Sequence, residues 1–183
     1  MRNLVAGGLF ATLIAGSALA SGLEIVVEGE ANGTITVDLL EDVAPAHVAQ
    51  ITALAADGKY DGVVFHRVID GFMAQTGDVE HGRMGQDLRR AGTGGSDLSD
   101  LPAEFSDVPF EKGVVGMARS QSPDSANSQF FIMFAPGDFL NGQYTVVGKV
   151  ISGMEVVDLI KRGDGANGEV TEPDVMTKVS VQE

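Results

Sequence analysis

A segment near the middle of the chain places one cation beside large apolar side chains. It begins Phe65-His66-Arg67 and ends in the run Phe72-Met73-Ala74-Gln75. Alternation along a β-strand predicts that Phe65, Arg67 and Ile69 share one face. A turn at Gly71 then presents Phe72, Met73 and Gln75. An arginine beside apolar residues is more often a surface side chain with a buried stem, so this segment alone is weak support for a site.

A second segment adds aromatic rings and another amide. Its residues are Ser128-Gln129-Phe130-Phe131-Ile132, and Phe139-Leu140 follow a few residues later. Taken together, the two segments predict an apolar groove that contains one cation, Arg67, and two amides. Such a groove is suited to holding a ligand without any covalent step.

Other kinds of chemistry lack the residues that they need. Without Cys, the chain has no disulfide, zinc-thiolate site or thiol nucleophile. The three histidines, His47, His66 and His81, lack the spacing of metal ligands, so no metal site is predicted. The run Gly92-Thr93-Gly94-Gly95 lacks the Lys-Ser/Thr pair of a phosphate loop. The acids are numerous but dispersed, which favours a solvated surface over a glycosidase pair.

The balance of charge narrows the possible partners. The chain contains 12 Lys and Arg against 26 Asp and Glu, a net charge of -14. This charge repels nucleic acid phosphates and anionic membrane surfaces, so neither is expected as a partner. With 44% hydrophobic and 21% charged residues, the composition is typical of one folded soluble domain.

Short strands and two helices are predicted around the groove. Strands are indicated by clusters of β-branched and aromatic residues at 24–28, 34–38, 63–69, 113–118, 129–133, 144–150 and 175–181. Asn32-Gly33 predicts a hairpin between the first two strands. Helical spacing predicts one helix from Pro45 to Gly58 and another from Met154 to Lys161. Short strands separated by Gly-rich loops indicate a barrel or a sandwich.

The first twenty residues resemble a secretory signal. A positive end with Arg2 precedes 17 uncharged residues, which close with Ala18-Leu19-Ala20. The alternative, a membrane anchor, would need about 20 strongly apolar residues. We therefore expect residues 1–20 to be a cleaved signal peptide, residues 21–183 to form the mature domain, and the protein to be exported, in a bacterium to the periplasm. Cleavage removes Arg2 and no acid, which changes the net charge to -15.

Several motifs, taken in order, resemble those of the cyclophilins. They cover essentially the whole expected mature chain: Phe65-His66-Arg67-Val68-Ile69, Gly71-Phe72-Met73-Ala74-Gln75, Gly92-Thr93-Gly94-Gly95, Gly116-Met117-Ala118-Arg119, Ser128-Gln129-Phe130-Phe131-Ile132 and Phe139-Leu140-Asn141-Gly142. The resemblance implies a mainly β fold, a closed eight-stranded antiparallel β-barrel capped by two α-helices. It also implies peptidyl-prolyl cis-trans isomerase activity without a cofactor.

The same resemblance implies roles for individual residues. Arg67 is similar to the family's catalytic arginine and Gln75 to its supporting amide. The implied proline pocket and peptide groove consist of Phe72, Met73, Phe131 and Leu140, with Ala118, Arg119, Gln129, Phe139 and Tyr144 along the remainder. Asp70 stands where many members have Pro, Phe139 where cyclosporin-sensitive members have Trp, and Tyr144 where some have His. Residues 79–90 form a longer segment, with a solvated loop as its simplest interpretation.

Three functions are compatible with these residues. The first is an exported isomerase, acting as a monomer on unfolded or extended polypeptides that contain X-Pro bonds. The second is a module or chaperone that binds Pro-containing chains in the same groove, with incidental turnover. Arg67 and Gln75 favour the enzyme, because a pure binder needs the pocket but no donor for the transition state. A lipocalin-like carrier would need a hollow barrel, whereas bulky residues in the strands indicate a filled one.

Overall fold

The computed structural model describes residues 22–182. The predicted signal peptide and its cleavage site lie outside these residues. In chain order the elements are β1 (Gly22–Glu28), β2 (Gly33–Leu39), α1 (Pro45–Ala56), β3 (Val63–Val64), β4 (Arg67–Ile69), β5 (Met73–Thr76), β6 (Val114–Met117), β7 (Phe130–Met133), β8 (Val146–Ser152), α2 (Met154–Leu159) and β9 (Val175–Gln182). Short 3-10 turns lie at Leu88–Arg90 and Asp138–Leu140. The predicted mainly β fold with two helices is confirmed.

All strand pairs are antiparallel and belong to one nine-stranded sheet, in the order β3-β9-β1-β2-β8-β6-β7-β5-β4. The first and last strands of this order, β3 and β4, follow each other in the chain. Only Phe65 and His66 separate them. When β3 and β4 are counted as one segment, that segment pairs with β9 at one end of the order and with β5 at the other. The sheet is therefore a ring of eight segments.

The strand predicted over residues 63–69 is interrupted because its central backbone groups bond to loops. The N–H of Phe65 donates to the carbonyl of Asp174, and the carbonyl of His66 accepts from the N–H of Val170. The interruption changes the predicted alternation. Phe65 belongs to the main core with Val68, whereas Ile69 packs against a smaller apolar cluster beneath the groove. The prediction that Phe65 shares a face with Ile69 is therefore wrong.

The two helices begin as their sequences predict and end slightly earlier. Pro45 starts α1, which buries Val48, Ile51 and Leu54 against the sheet. The second helix, α2, ends at Leu159 rather than Lys161, because the backbone is extended at Ile160 and the N–H of Lys161 donates to the Asp174 carboxylate. Within residues 22–182, no helix has both the length and the apolar character needed to cross a membrane.

The segment after β5 is tied down by one buried carboxylate. Both oxygens of Asp78 accept backbone N–H groups, those of Glu80 and His81 on one side and those of Gly92 and Gly94 on the other. Burial alone would raise the pKa of Asp78, but these four donors outweigh it and hold the pKa below its usual range. Asp78 thereby fixes both ends of the segment that contains residues 79–90.

Candidate active site

Three neighbouring strands form the floor of the groove. In the sheet, Arg67 of β4 lies opposite Gln75 of β5, and Gln75 lies opposite Phe131 of β7. Residues paired in register across a sheet present their side chains on the same face. The strand β5, which the sequence did not predict, therefore brings the cation, the amide and an aromatic ring together.

The guanidinium of Arg67 is held from two directions. Its Nη1 donates to Gln75 Oε1 at 3.0 Å, and its Nε donates to the main-chain carbonyl of Asn167, also at 3.0 Å. Partial burial lowers the pKa of Arg67, but an arginine side chain remains protonated in proteins. Within residues 22–182, its Nη2 makes no hydrogen bond. The site thus contains an oriented cation with N–H donors still available to a ligand.

A chain of amides supports this cation from below. Gln75 Nε2 donates to Gln129 Oε1 at 3.0 Å, and Gln129 Nε2 donates to the carbonyl of Gly94 at 2.8 Å. Because each amide uses its oxygen to accept and its nitrogen to donate, the orientation of Gln75 is fixed. Its oxygen must face Arg67. The structure thus places the two amides predicted from sequence next to each other, in one network with Arg67.

Beside Arg67 lies a cavity of about 440 Å³. We call it the apolar cavity because aromatic and aliphatic side chains form one part of its wall, while polar groups such as Arg67 and Gln75 form another. In the apolar part, Phe131 packs edge-to-face on Tyr144 with ring centroids 5.9 Å apart, and Phe72 lies against Phe139 at 5.5 Å. Phe139 is 67% exposed at the rim. Of the eleven site residues predicted from sequence, ten line this cavity, namely Arg67, Phe72, Met73, Gln75, Ala118, Arg119, Phe131, Phe139, Leu140 and Tyr144.

A second cavity of about 500 Å³ continues from the first and contains Gln129, the remaining predicted residue. The two cavities share Gln75, Ala118 and Arg119 in their walls. This second cavity is polar, and sequence reasoning missed five of its polar residues: Ser96, Asp100, Ser120, Ser125 and Asn127. Single Ser, Asn and Asp residues in loops carry no signal for a site. The sequence signals for this part of the groove were the Gly92-Thr93-Gly94-Gly95 motif and the predicted residues Ala118, Arg119 and Gln129.

Arg119 lies where the two cavities meet. Its guanidinium stacks over the ring of Tyr144, 4.3 Å from the centroid, and donates to the main-chain carbonyls of Ser120 and Gln143. The stacking keeps the long side chain against the wall and out of the cavity. Arg119 therefore adds a second positive charge to the groove of an acidic protein.

Two further residues flank the site without entering it. His66 is buried next to Arg67, and burial lowers the pKa of its imidazole. Asp70, in the turn that leads to Phe72, forms an ion pair with Arg162 at 3.0 Å. Arg162 also lies over the ring of Phe134, 4.0 Å from its centroid. The turn that lacks proline is thus fastened to the body of the protein through Asp70.

Within residues 22–182, no three His, Cys, Asp or Glu side chains converge as metal ligands would. What the site offers is an oriented cation, two amides and an apolar cavity. These groups can bind and polarise a ligand without forming a bond to it. The arrangement therefore suits a conformational reaction, which needs binding and polarisation of the ligand.

Solved structures with the same fold are cyclophilins. One from Hirschia baltica matches with a TM-score of 0.72 and 25% identity, over 86% of this chain and 72% of that one. A cyclophilin-type isomerase from Cryptosporidium parvum, crystallised in the presence of the dipeptide Ala-Pro, matches with a TM-score of 0.74 and 24% identity, over 88% of this chain and 99% of that one.

Sequence comparisons agree with the structural ones. A protein of Brucella suis biovar 1, named a probable peptidyl-prolyl cis-trans isomerase, is 54% identical over 100% of this chain and 96% of its own length. The Arabidopsis thaliana isomerase CYP18-1 is 36% identical over 75% of this chain and 82% of its own. The model of the cyclophilin type peptidyl-prolyl cis-trans isomerase family matches residues 23–181. This chain therefore belongs to the cyclophilin-type peptidyl-prolyl cis-trans isomerases.

Proposed function

We propose that the groove holds an extended polypeptide with a proline ring in the apolar cavity, and that Arg67 catalyses rotation about the X-Pro bond. The observation that carries this proposal is the guanidinium of Arg67, fixed on two sides at the edge of that cavity with Nη2 still able to donate. Gln75 supports it by accepting from Nη1.

The chemistry required is small. Amide resonance puts the barrier to rotation at about 18–20 kcal/mol, and uncatalysed exchange of an X-Pro bond takes tens to hundreds of seconds. In the twisted transition state the prolyl nitrogen loses resonance and gains a lone pair. A donor aimed at this nitrogen binds the twisted state better than either planar state, which lowers the barrier. Arg67 supplies the donor, and neither bond cleavage nor proton transfer is needed.

The two cavities bind different parts of the substrate. The apolar cavity, with Phe72, Phe131 and Leu140 in its walls, takes the proline ring. The polar cavity accepts the neighbouring part of the peptide, because serine, asparagine and backbone groups can pair with its amides. The substrate class is therefore unfolded or extended chains that contain X-Pro bonds.

The test compares the cis-to-trans rate of a short Ala-Pro-Phe peptide with wild-type protein and with Arg67→Ala. Losing one charge-assisted hydrogen bond, worth about 2–3 kcal/mol, lowers kcat/KM roughly 30- to 150-fold. Arg90→Ala, which removes an exposed charge outside the two cavities, is the control and keeps the rate. Unchanged turnover in a folded Arg67→Ala protein would instead support the module that only binds proline-containing chains.

The cellular setting of this activity is the folding of exported proteins. Supporting this are the positive end, the uncharged stretch and the Ala18-Leu19-Ala20 site of residues 1–20. The mature protein then begins at Ser21 and acts as a monomer in the periplasm. Intact mass of the protein recovered from the periplasm tests this, and a mass that still includes residues 1–20 would contradict it.

A further inference from the structure

Residues 163–170 lie along the outer edge of β4. The N–H of Val68 donates to the carbonyl of Gly168 at 2.7 Å, and the carbonyl of Val68 accepts from the N–H of Gly163 at 2.9 Å. The N–H of Val170 donates to the carbonyl of His66 at 3.2 Å. This segment thus pairs with the one side of β4 that β5 does not occupy, and its position depends on the position of β4.

The loop within this segment also reaches the side chain of Arg67. Asn167 contributes its main-chain carbonyl, which accepts from Arg67 Nε at 3.0 Å. Gln75 accepts from Nη1 on another edge of the same planar group. One acceptor would leave the guanidinium able to pivot about that bond. Two acceptors on different edges fix both its plane and its direction.

We propose that Asn167 is a positioning residue that holds the catalytic guanidinium through its main-chain carbonyl, and that the backbone bonds of Gly163 and Gly168 to β4 hold this part of the loop in place. This inference rests on the role of Arg67 in the proposed function. The loop touches Arg67 through Asn167, and none of residues 163–168 lines the apolar cavity. It therefore influences the rate of the chemical step and leaves the binding of the proline ring to other residues.

Two glycines of the loop make a matched test. Gly165 and Gly168 both have a φ of 70°, so alanine meets the same backbone strain at either position. At Gly165 an added Cβ has no heavy atom within 4 Å. At Gly168 the added Cβ would lie 2.5 Å from Cγ1 of Ile69 and 2.8 Å from the carbonyl oxygen of Val68. Gly168→Ala therefore pushes the loop away from β4, whereas Gly165→Ala does not.

The first experiment measures kcat, KM and peptide affinity for both variants. Gly168→Ala is expected to lower kcat roughly tenfold with KM and affinity within about twofold, because misplacing a catalytic group slows reaction without removing the binding surface. Gly165→Ala is expected to keep kcat close to that of the wild type. Equal losses in the two variants, or a loss confined to KM, would overturn the proposal.

A second readout follows the guanidinium itself. In wild-type protein the Nε–H of Arg67 should give a distinct, exchange-protected NMR signal, because it is hydrogen-bonded to Asn167. Gly168→Ala should shift this signal and remove its protection, and Gly165→Ala should keep it. If Gly168→Ala fails to fold, deletion of Ala166 shortens the loop without adding an atom near β4. An unprotected Nε–H in the wild type would overturn the proposal.

The Arg67→Ala background separates this inference from the proposed function. If the loop acts through Arg67, adding Gly168→Ala to Arg67→Ala causes no further loss of activity. Additive losses would mean that the loop has a merely structural role, and the inference would fail while the proposed function stands. Full activity of Arg67→Ala alone would contradict the proposed function, and the inference would fail with it.

Discussion

Hydrogen bonds between Glu104 and His47 connect a loop to the first turn of α1. The carboxylate of Glu104 accepts from the ring Nδ1 of His47 at 2.6 Å and from its backbone N–H at 3.1 Å. It also accepts from the N–H of Ala46 at 3.2 Å. No residue within α1 or at its start caps these N–H groups by its own side chain. A residue 57 positions away therefore does the work of an N-cap.

Replacing Glu104 should destabilise the protein through α1. Glu104→Ala leaves the buried His47 and the first helical N–H groups without their acceptor, a loss of about 1–2 kcal/mol. For a protein of this size, the melting temperature should fall by roughly 2–8 °C. Glu111→Ala, which removes an exposed acid from the same segment before β6, is the control and should have the melting temperature of the wild type. Equal melting temperatures for all three proteins would show that α1 does not need this acceptor.

Lowering the pH should weaken the hydrogen bonds between Glu104 and the start of α1. Burial alone would raise the pKa of Glu104, but the hydrogen bonds from His47 and Ala46 hold it below its usual range. A carboxyl whose folded pKa is lowered stabilises fully above its unfolded pKa, about 4.3 for Glu, and loses that contribution as pH falls through the folded pKa. The difference in unfolding free energy between wild type and Glu104→Ala should therefore shrink as the pH falls below about 4.3. A constant difference would contradict this account.

The carboxylate of Asp78 is a second point where one substitution should have a large effect. Asp78→Asn keeps the shape but turns one acceptor oxygen into an NH2 group that faces two backbone N–H donors. Leaving these buried groups unpaired costs about 2–3 kcal/mol. Urea unfolding should show this loss, and faster hydrogen exchange at one pair of amides, either Glu80 and His81 or Gly92 and Gly94, should show which side the NH2 group faces. Asp87→Asn, an exposed acid of the same segment, is the control.

Catalysis should show almost no dependence on pH near neutrality. No step of the proposed mechanism transfers a proton, and Arg67 does not titrate in this range. His66 lies next to Arg67 in the chain, but it is buried, and burial lowers the pKa of its imidazole. We expect kcat/KM to be nearly flat from about pH 6 to 8. A bell-shaped profile that disappears in His66→Gln would show that His66, and not Arg67, carries the chemistry.

Phe139 should govern inhibition by cyclosporin more than turnover. It stands at the exposed rim, where cyclosporin-sensitive relatives carry an indole whose N–H can donate to a ligand carbonyl. Phe139→Trp should tighten cyclosporin binding about fivefold, the worth of one ordinary hydrogen bond of about 1 kcal/mol. Peptide kcat/KM should change much less, because buried Met73 and Leu140 remain in the cavity. Equal inhibition of both proteins would point to Tyr144 or residues 79–90 instead.

Local signals in the sequence predicted most of the strands and both helices. Runs of Val, Ile and Phe identify strands wherever they occur. The strand β5 was missed because Met73, Ala74 and Gln75 are not typical strand residues, and only their pairing with β4 and β7 makes them one. The break at Phe65 and His66 likewise depends on bonds to distant loops.

The candidate site also contains residues that the sequence predicted and residues that it did not. Some of its side chains were predicted from two segments that combine aromatic rings with Arg67 and amides, and the others from the resemblance of the motifs to those of the cyclophilins. The carbonyl of Asn167 was not predicted, because every residue carries the same main-chain carbonyl and its position is set only by tertiary structure. Ser96, Asn127 and Asp100 were missed for a related reason, since isolated polar residues are common in all loops.

The pairing of β1 with β9 joins the two ends of the described chain. Gly22 lies opposite Gln182, and β9 also separates β1 from β3 in the sheet. Contacts between residues so far apart in sequence are slow to form, because the entropy of closing a long loop must be overcome first. The ring cannot close until the last strand has been synthesised. The domain therefore cannot complete its fold before β9 is available, and removal of β9 should abolish folding altogether.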